Sequence, residues 1–376
     1  MAIVAEAVRV REPWLRRAWR DEVGWTGAAS LQALARLYGG GLAVRSRLYA
    51  AGIFRTRRLP CPVISVGNLT LGGSGKTPLA EVVARIVAEL GGKPALLSRG
   101  YGRQTRGVQI VSDTDGVKLG ARQGGDEPVL LAERLPGVPV VVGESRYEAG
   151  RVALERCGAG ALVLDDGFQH RTLAKDLEIV AVAGRSPWGN GRLFPRGVLR
   201  EPVEALRRAD LIVVTNPSGP AARSAVAATL GRLGARAAVL TASSEPESAR
   251  AMPDGRVEPP AALRGRRLLA FAGLAAPEGF TATLSAVGAG VAGFVEFPDH
   301  HAFTLDDIES LMRRAESAGA EALVTTEKDW VRIRETGMPG LPLWVLSIRM
   351  SVDRRDILVE ALARVLQPSG ARKPWP

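Results

Sequence analysis

The sequence predicts an α/β protein with two Rossmann-like three-layer α/β/α domains, the first of the P-loop NTPase type, preceded by an amphipathic helical segment. Three observations carry this expectation. From Pro60 onward, apolar β-like runs alternate with helical patterns, which argues βαβ units and a largely parallel sheet. One run, Val63–Val66, enters the glycine-rich stretch Gly67-Asn68-Leu69-Thr70-Leu71-Gly72-Gly73-Ser74-Gly75-Lys76-Thr77-Pro78. Another, Ala161-Leu162-Val163-Leu164, ends in the paired carboxylates Asp165-Asp166.

Composition bounds the function. The chain has 376 residues, enough for two domains, and is 46% hydrophobic and 24% charged, hence globular. Its formal net charge of +11 suits an anionic partner. Aromatics are only 5%, and no basic run is interleaved with them, so nucleic acid is disfavoured among such partners. Cys61 and Cys157 lie far apart with no CxxC pairing, so neither a disulfide framework nor a zinc site is expected. The first 25 residues are charged throughout and do not read as a signal peptide. No protein partner is evident.

Taken in order, residues 1–50 form a segment of their own character. Trp14, Leu15, Ala18 and Trp19 cluster beside Arg16, Arg17 and Arg20, and Leu31, Leu34 and Tyr38 recur at helical spacing. Arg36 and Gly39–Gly41 interrupt the apolar run, which is too short for the roughly 20 apolar residues of a membrane span. A basic helix with tryptophans lying in the lipid interface is one reading, and a helix packed on the main domain is the other. Strands are expected at 63–66, 95–98, 138–142, 161–164, 179–183 and 211–214. A second alternation has strands near 237–240, 268–272, 291–297, 322–325 and 343–346. The Pro- and Ala-rich stretch 217–225 reads as a seam, dividing a first domain at 51–222, with 1–50 attached to it, from a smaller one at 223–376. Thr304 and Asp307 form a capping-box pattern ahead of a helix.

The chemistry is concentrated at strand ends. Leu79, Val82, Val83, Ile86, Val87 and Leu90 recur at helical spacing after the glycine-rich loop, so a helix N-terminus follows it. Backbone N–H groups of Thr70, Gly72, Gly73, Ser74 and Gly75 then cradle phosphate, aided by the helix dipole. Lys76 reaches the β/γ-phosphates, and the Thr77 hydroxyl binds Mg²⁺. Thr70 stands where the usual pattern has its first glycine. Asp165 and Asp166 occupy the strand-end position at which an Asp helps hold Mg²⁺. Only three histidines occur: His170, in Asp165-Asp166-Gly167-Phe168-Gln169-His170, and His300 and His301, in Phe297-Pro298-Asp299-His300-His301. Arg99, in Ser98-Arg99-Gly100-Tyr101-Gly102-Arg103, could clamp phosphate or substrate. Asp126 sits in a turn just before a helix, Arg200 in a charged loop. Asp126, His170 and His300 are the candidates for a general base.

In this order, GNLTLGGSGKTP, SRGYGR, GDEP, DDGFQH, GNGRLFPRGVLREP, FPDHH and TTEKD resemble the tetraacyldisaccharide 4′-kinases of lipid A biosynthesis, over roughly residues 60–335. Thr70 is part of that pattern, whereas Ala183-Gly184 departs from it where many relatives carry an Asp. The resemblance implies transfer of the γ-phosphoryl group of ATP, with Mg²⁺, to the 4′-hydroxyl of an acylated glucosamine disaccharide 1-phosphate at the cytoplasmic face of the bacterial inner membrane. It implies an Asp126–His300 dyad as base, Glu201 as a further metal ligand, and phosphate or substrate contacts from Arg99, His170 and Arg200. The membrane association it implies is peripheral or monotopic. The alternative is a P-loop ATPase or GTPase that acts on a protein partner.

Overall fold

The computed structural model describes residues 14–367 except 23, 275–276, 338–339 and 341. Residues 1–13 of the expected interfacial segment, and the side chains of Trp14, Leu15 and Arg16, lie outside the described residues. The described residues form two compact units, one of residues 14–243 together with 350–367, the other of 244–349.

The first unit is built on the strands β1 (Val63–Asn68), β2 (Pro94–Ser98), β3 (Gln109–Asp113), β4 (Gly116–Val117), β5 (Val140–Val142), β6 (Ala161–Asp165), β7 (Leu177–Ala183), β8 (Leu211–Thr215) and the start of β9 (Ala238–Met252), in the order β4-β3-β5-β2-β6-β1-β7-β8-β9. All neighbours from β5 to β9 are parallel. β3 and β4 pair antiparallel at the edge. Every residue of β1, β2, β6 and β8 is buried, which explains their unbroken apolar reading. Leu59, Leu97, Leu162 and Leu164 pack on one side of the sheet's core, and Leu69, Phe168, Val182 and Val214 in a second cluster. Each fully buried large apolar side chain is worth roughly 1.5–3 kcal/mol, more than a surface ion pair, so these clusters set the fold. After β1 the chain goes to β2 on one side, while β7 and β8 fill the other. The carboxyl end of β1 is therefore the topological switch point, where ligands bind in such sheets.

Expectation and structure differ in three places. The hairpin β3–β4 escapes the apolar pattern because it is a half-exposed edge, although Asp115-Gly116 at its turn is a hairpin signal. β9 continues to Met252 through the polar stretch Ser243–Glu247, which hydrophobicity does not reveal. The division into units lies at 243/244 and 349/350 rather than at 222/223. Residue 222 falls inside the helix Pro220–Leu233, which places Val226 and Leu230 in the Leu69–Phe168 cluster. The Pro220 taken for a linker residue is a helix start, a position where proline is favoured. The C-terminal helix Arg355–Leu366 packs on the helix Lys76–Glu89 of the first unit.

The helix Trp25–Ala50 runs unbroken through Gly39–Gly41. A Cβ on Gly39 would come to 3.0 Å from Leu193 Cδ1, so a glycine there lets the helix approach the 188–202 loop closely. Leu31 and Ala35 are buried, whereas Trp25, Leu34, Leu37 and Val44 are exposed, with Trp25 at 82%. One face of this helix thus packs on the protein while another presents apolar side chains to the outside. No described helix is long and apolar enough to cross a membrane.

The second unit carries β10 (Val257–Glu258), β11 (Arg267–Ala272), β12 (Gly290–Glu296), β13 (Ala322–Thr326) and β14 (Leu343–Val352). Its parallel strands lie in the order β12-β11-β13-β14, with β10 antiparallel to the far end of β9. Two clusters cover it, one around Leu268, Ala270, Leu284 and Trp344, the other around Phe271, Phe303, Ile308 and Leu311. The capping box is present: Thr304 and Asp307 close the N-terminus of the helix Leu305–Ser317 reciprocally.

Candidate active site

The first unit gathers most of the expected residues at the carboxyl ends of its parallel strands. Gly75 caps the helix Lys76–Glu89 in a left-handed conformation, φ 72°. An added Cβ there would meet Thr215 Cγ2 at 3.2 Å and Met350 Cε at 3.1 Å, so only glycine suits the turn. The helix start has no acidic residue in its first turn and no side-chain cap, which leaves its N–H donors to an anion. The buried Asn68 fixes the loop from inside. Its Nδ2 donates to Thr70 O at 2.7 Å and to Ser74 Oγ at 2.8 Å, while Thr215 Oγ1 donates to Ser74 O at 2.9 Å. The 188–202 loop braces the outer side, with Leu71 N donating to Val198 O and Arg200 N to Leu69 O. A concavity lined by Thr70–Gly73, Ala183, Ser186, Gly189 and Val198 lies beside the loop. Ala183, where the family pattern is broken, is therefore part of that wall.

Thr77 and Asp165 come together from β1's loop and the end of β6: Thr77 Oγ1 lies 3.3 and 3.4 Å from the two carboxylate oxygens. Burial pushes the Asp165 carboxyl up to about 7, Glu127 adds to this, and Lys76 opposes it. Such a carboxylate gains most from a cation beside it. Arg146, almost fully buried, lies close enough to feel both Asp165 and Asp166, and burial brings its guanidinium down to about 10. Asp166 is held differently. Arg200 donates to its two oxygens at 2.6 and 3.1 Å and to Asn68 Oδ1 at 3.0 Å. Burial alone would raise the Asp166 carboxyl, but the Arg200 hydrogen bonds, with Lys76, keep it below the usual range. Glu201 pairs with Arg208 at 2.9 Å in a buried group that includes Glu178 and Lys175. Of the residues expected to hold a metal, the structure thus joins Thr77 and Asp165, while Asp166 and Glu201 face arginines. No group of three or more His, Cys, Asp or Glu shaped for a metal occurs among the described residues. Mg²⁺ does not require one, since it is usually held by one or two carboxylates, water and phosphate oxygens.

Asp126 is the first residue of the helix Asp126–Arg134 and is buried, with its Oδ1 accepting from Glu127 N at 3.0 Å. Arg99 is exposed just after β2. His170 Nε2 lies 2.8 Å from Thr172 Oγ1. Burial, then Arg146, Lys175, Arg45 and Arg99, bring its imidazole down to about 4. It is therefore neutral at neutral pH. Asn68, Arg146, Glu127 and Thr215 were not expected in this site. Only Asn68 and Glu127 carried a signal, by adjacency to GNLT and GDEP. Arg146 and Thr215 reach the site through the sheet alone.

His300 belongs to the second unit, in the turn after β12, and has φ 60°. Asp329, fully buried, anchors that turn from the start of the helix Glu327–Ile333. Its carboxylate accepts from Gly273 N at 3.1 Å, Thr326 Oγ1 at 2.6 Å and Arg332 Nη2 at 2.8 Å. Arg332 Nη1 in turn donates to His301 O at 2.9 Å. The His301 ring lies 3.0 Å from Asp307 Oδ2 and stacks on Phe297 at 4.8 Å, so it staples the turn. Lys328 Nζ is 3.3 Å from Asp299 Oδ1 and 3.4 Å from His300 Nε2.

Comparison with known proteins agrees with this arrangement. The family described as Tetraacyldisaccharide-1-P 4'-kinase matches residues 27–367. A tetraacyldisaccharide 4'-kinase of Syntrophus aciditrophicus is 43% identical over 350 residues, covering 90% of this chain and 94% of the relative. One from Anaeromyxobacter dehalogenans strain 2CP-1 is 46% identical over 324 residues, 84% of each chain. Among solved structures, that of LpxK from Aquifex aeolicus in complex with ATP superposes with a TM-score of 0.70 at 32% identity, covering 90% of this chain and 99% of that one. On the phosphate loop, the strand-end carboxylates and this similarity together, the chain belongs to the tetraacyldisaccharide-1-P 4'-kinase family.

Proposed function

We propose that this chain transfers the γ-phosphoryl group of ATP to the 4′-hydroxyl of tetraacyldisaccharide 1-phosphate, forming lipid IVA in lipid A biosynthesis. The observation that carries the reading is the glycine-rich helix start with Thr77 Oγ1 against the Asp165 carboxylate. Phosphoryl transfer is mostly positioning and charge neutralisation, and this constellation supplies both. Loop N–H groups and Lys76 take the phosphates. Thr77 and Asp165 would hold Mg²⁺, which would supply charge neutralisation for the transferring phosphoryl group. Asp166 keeps the Arg200 guanidinium fixed beside Asn68 and the loop, and Arg99 and His170 line the same edge. Asp126 takes the hydroxyl proton, and His300 of the second unit acts with it. Glu201 supports the metal side indirectly, through Arg208 and its neighbours.

The acceptor is a lipid, and the enzyme works on it at a membrane surface, the cytoplasmic face of the inner membrane. The exposed Trp25, Leu34, Leu37 and Val44 of the helix Trp25–Ala50, on a chain of net charge +11, support this placement. The test is purified protein with labelled ATP and the acylated disaccharide 1-phosphate, resolved by thin-layer chromatography. Label moving to the lipid is expected. Hydrolysis of nucleotide with no labelled lipid would overturn the reading in favour of an ATPase. Deleting residues 1–45 should shift protein from the vesicle-bound to the soluble fraction, and unchanged sedimentation with vesicles would remove the membrane role.

A further inference from the structure

Resting on the kinase reading above, we propose that Arg45, Tyr49 and Arg171 form the subsite for the 1-phosphate of the acceptor lipid. Tyr49 lies in the last turns of the helix Trp25–Ala50, and two guanidinium groups flank its ring. The Arg171 Cζ is 4.7 Å and the Arg45 Cζ 5.8 Å from the ring centre. Arg45 Nη2 donates to Gln169 O at 2.6 Å, and Arg171 Nη1 donates to Ser46 Oγ at 3.1 Å. Each guanidinium carries five N–H donors, so most of them are left for a further acceptor.

What sets this pair apart is the lack of a counter-charge. Nearby Arg57 and Arg58 are paired with Glu148 at 3.3 Å and Asp176 at 2.8 Å. Among the described residues, no carboxylate lies within ion-pairing distance of Arg45 or Arg171. Two part-buried cations on one ring repel each other, and among the described residues no carboxylate is paired directly with either to offset this. Burial, Arg208 and Arg45 act to lower the Arg171 guanidinium, against Glu201 and Tyr49, and the net direction is down. The field is also positive toward His170, to which Arg146, Lys175, Arg45 and Arg99 all contribute. A phosphate monoester fits such a place, because arginine forks match its oxygens in paired, charge-assisted hydrogen bonds.

The setting selects a phosphate carried on an amphiphile. Val44, next to Arg45 in the chain, and Ile53 and Phe54, just past the helix end, are exposed, and Phe54 packs edge-on against Tyr49 at 5.4 Å. The exposed Leu34 and Leu37 continue the apolar surface along the same helix. Arg171 is five residues beyond Asp166, so the subsite stands off from the carboxylates by one short loop. The acceptor has the same layout: a 4′-hydroxyl at one end of a two-sugar headgroup, a phosphate at the other, and acyl chains to the side.

The experiment uses the full-length protein and two acceptors, the acylated disaccharide with its 1-phosphate and the same lipid with a free 1-hydroxyl. The readout is the ratio of kcat/KM for the two, in which the folded fraction and any loosening of the helix cancel. Charge-assisted hydrogen bonds are worth about 1.5–3 kcal/mol, so Arg45→Gln and Arg171→Gln should each lower the ratio by roughly tenfold or more. Arg171→Lys should fall between, since it keeps the charge but loses the fork. An unchanged ratio, with both acceptors affected equally, would overturn the subsite and leave a structural role. An intact ratio with weakened binding to phosphatidylglycerol but not phosphatidylcholine vesicles would also overturn it, by assigning the arginines to bulk lipid headgroups. Failure of the unaltered protein to phosphorylate either acceptor would instead sink the kinase reading on which the inference rests.

Discussion

The phosphate loop of the first unit and the histidine turn of the second hold their functional groups by opposite means. In the loop, the donors are backbone N–H groups, and a buried strand, two glycines with positive φ and a helix start aim them. Side chains such as Asn68 and Thr215 only brace that path. In the turn, His300 depends on a chain of buried ionic contacts, Gly273 to Asp329 to Arg332 to His301 O, contributed by residues up to 59 positions apart. Backbone-built sites tolerate side-chain changes around them. Sites built on a buried ion pair fail when one partner is lost, because the other stays desolvated and unmatched.

The largest expected effect would test whether the two regions serve one reaction. Asp126→Asn and His300→Ala should each lower kcat by about 10²–10⁴, with little change in ATP affinity. The double variant should be scarcely worse than the poorer single one, since residues acting as a unit are non-additive. Losses that multiply would mean the turn and the loop edge act independently and would return His170 to candidacy as base.

Next in size, Lys76→Ala and Thr77→Ala should cut kcat by about 10²–10³ while thermal unfolding stays as in the unaltered protein, because neither side chain carries the core. Near-normal turnover in either would remove the phosphate-loop assignment. A large drop in Tm would show that this region, too, relies on side chains.

Asp329→Ala sharpens the contrast from the other side. Asp329 is fully buried, and burial holds its carboxyl above the usual range against the pull of Arg332. Removing it should destabilise the second unit by about 3–5 kcal/mol, read as a lower urea midpoint. A loss below ~1 kcal/mol would mean that the turn is held by the His301–Phe297–Phe303 stack rather than by the ion pair.

The smallest effect concerns pH. His170 titrates near 4 in the folded protein, below its ordinary value of about 6.5. Between those values the unfolded chain binds a proton that the folded one does not, so stability is present above about 6.5 and is lost as the pH falls toward 4. His170→Asn should flatten that part of the stability–pH curve. An unaltered slope, or a His170 NMR titration near 6.5, would show that the imidazole is not enclosed by the cations around it.

The eleven strands expected from apolar runs all form. The central parallel ones, such as β1, β2, β6 and β8, are buried on both faces and so largely apolar, whereas β12 is a more exposed edge. The strands that escaped notice, β3, β4 and β10, are short or half-exposed, and there burial does not constrain residue type. The division of the chain was also hidden. Helix Pro220–Leu233 has a linker-like composition, and only its packing of Val226 and Leu230 assigns it to the first unit.

By itself the sequence determined the alternating α/β architecture, the glycine-rich loop before a helix, the strand-end pair Asp165-Asp166 and the capping box at Thr304. Each of these is written in contiguous residues whose spacing is the period of a strand, a turn or a helix. Tertiary structure decided which of two adjacent carboxylates meets Thr77 and which meets Arg200, that His301 is a staple while His300 sits at φ 60°, and that Arg45 and Arg171 share one tyrosine ring. Most of those outcomes depend on contacts between residues 28 to 122 positions apart, which strand order and helix docking bring together and which no local period records.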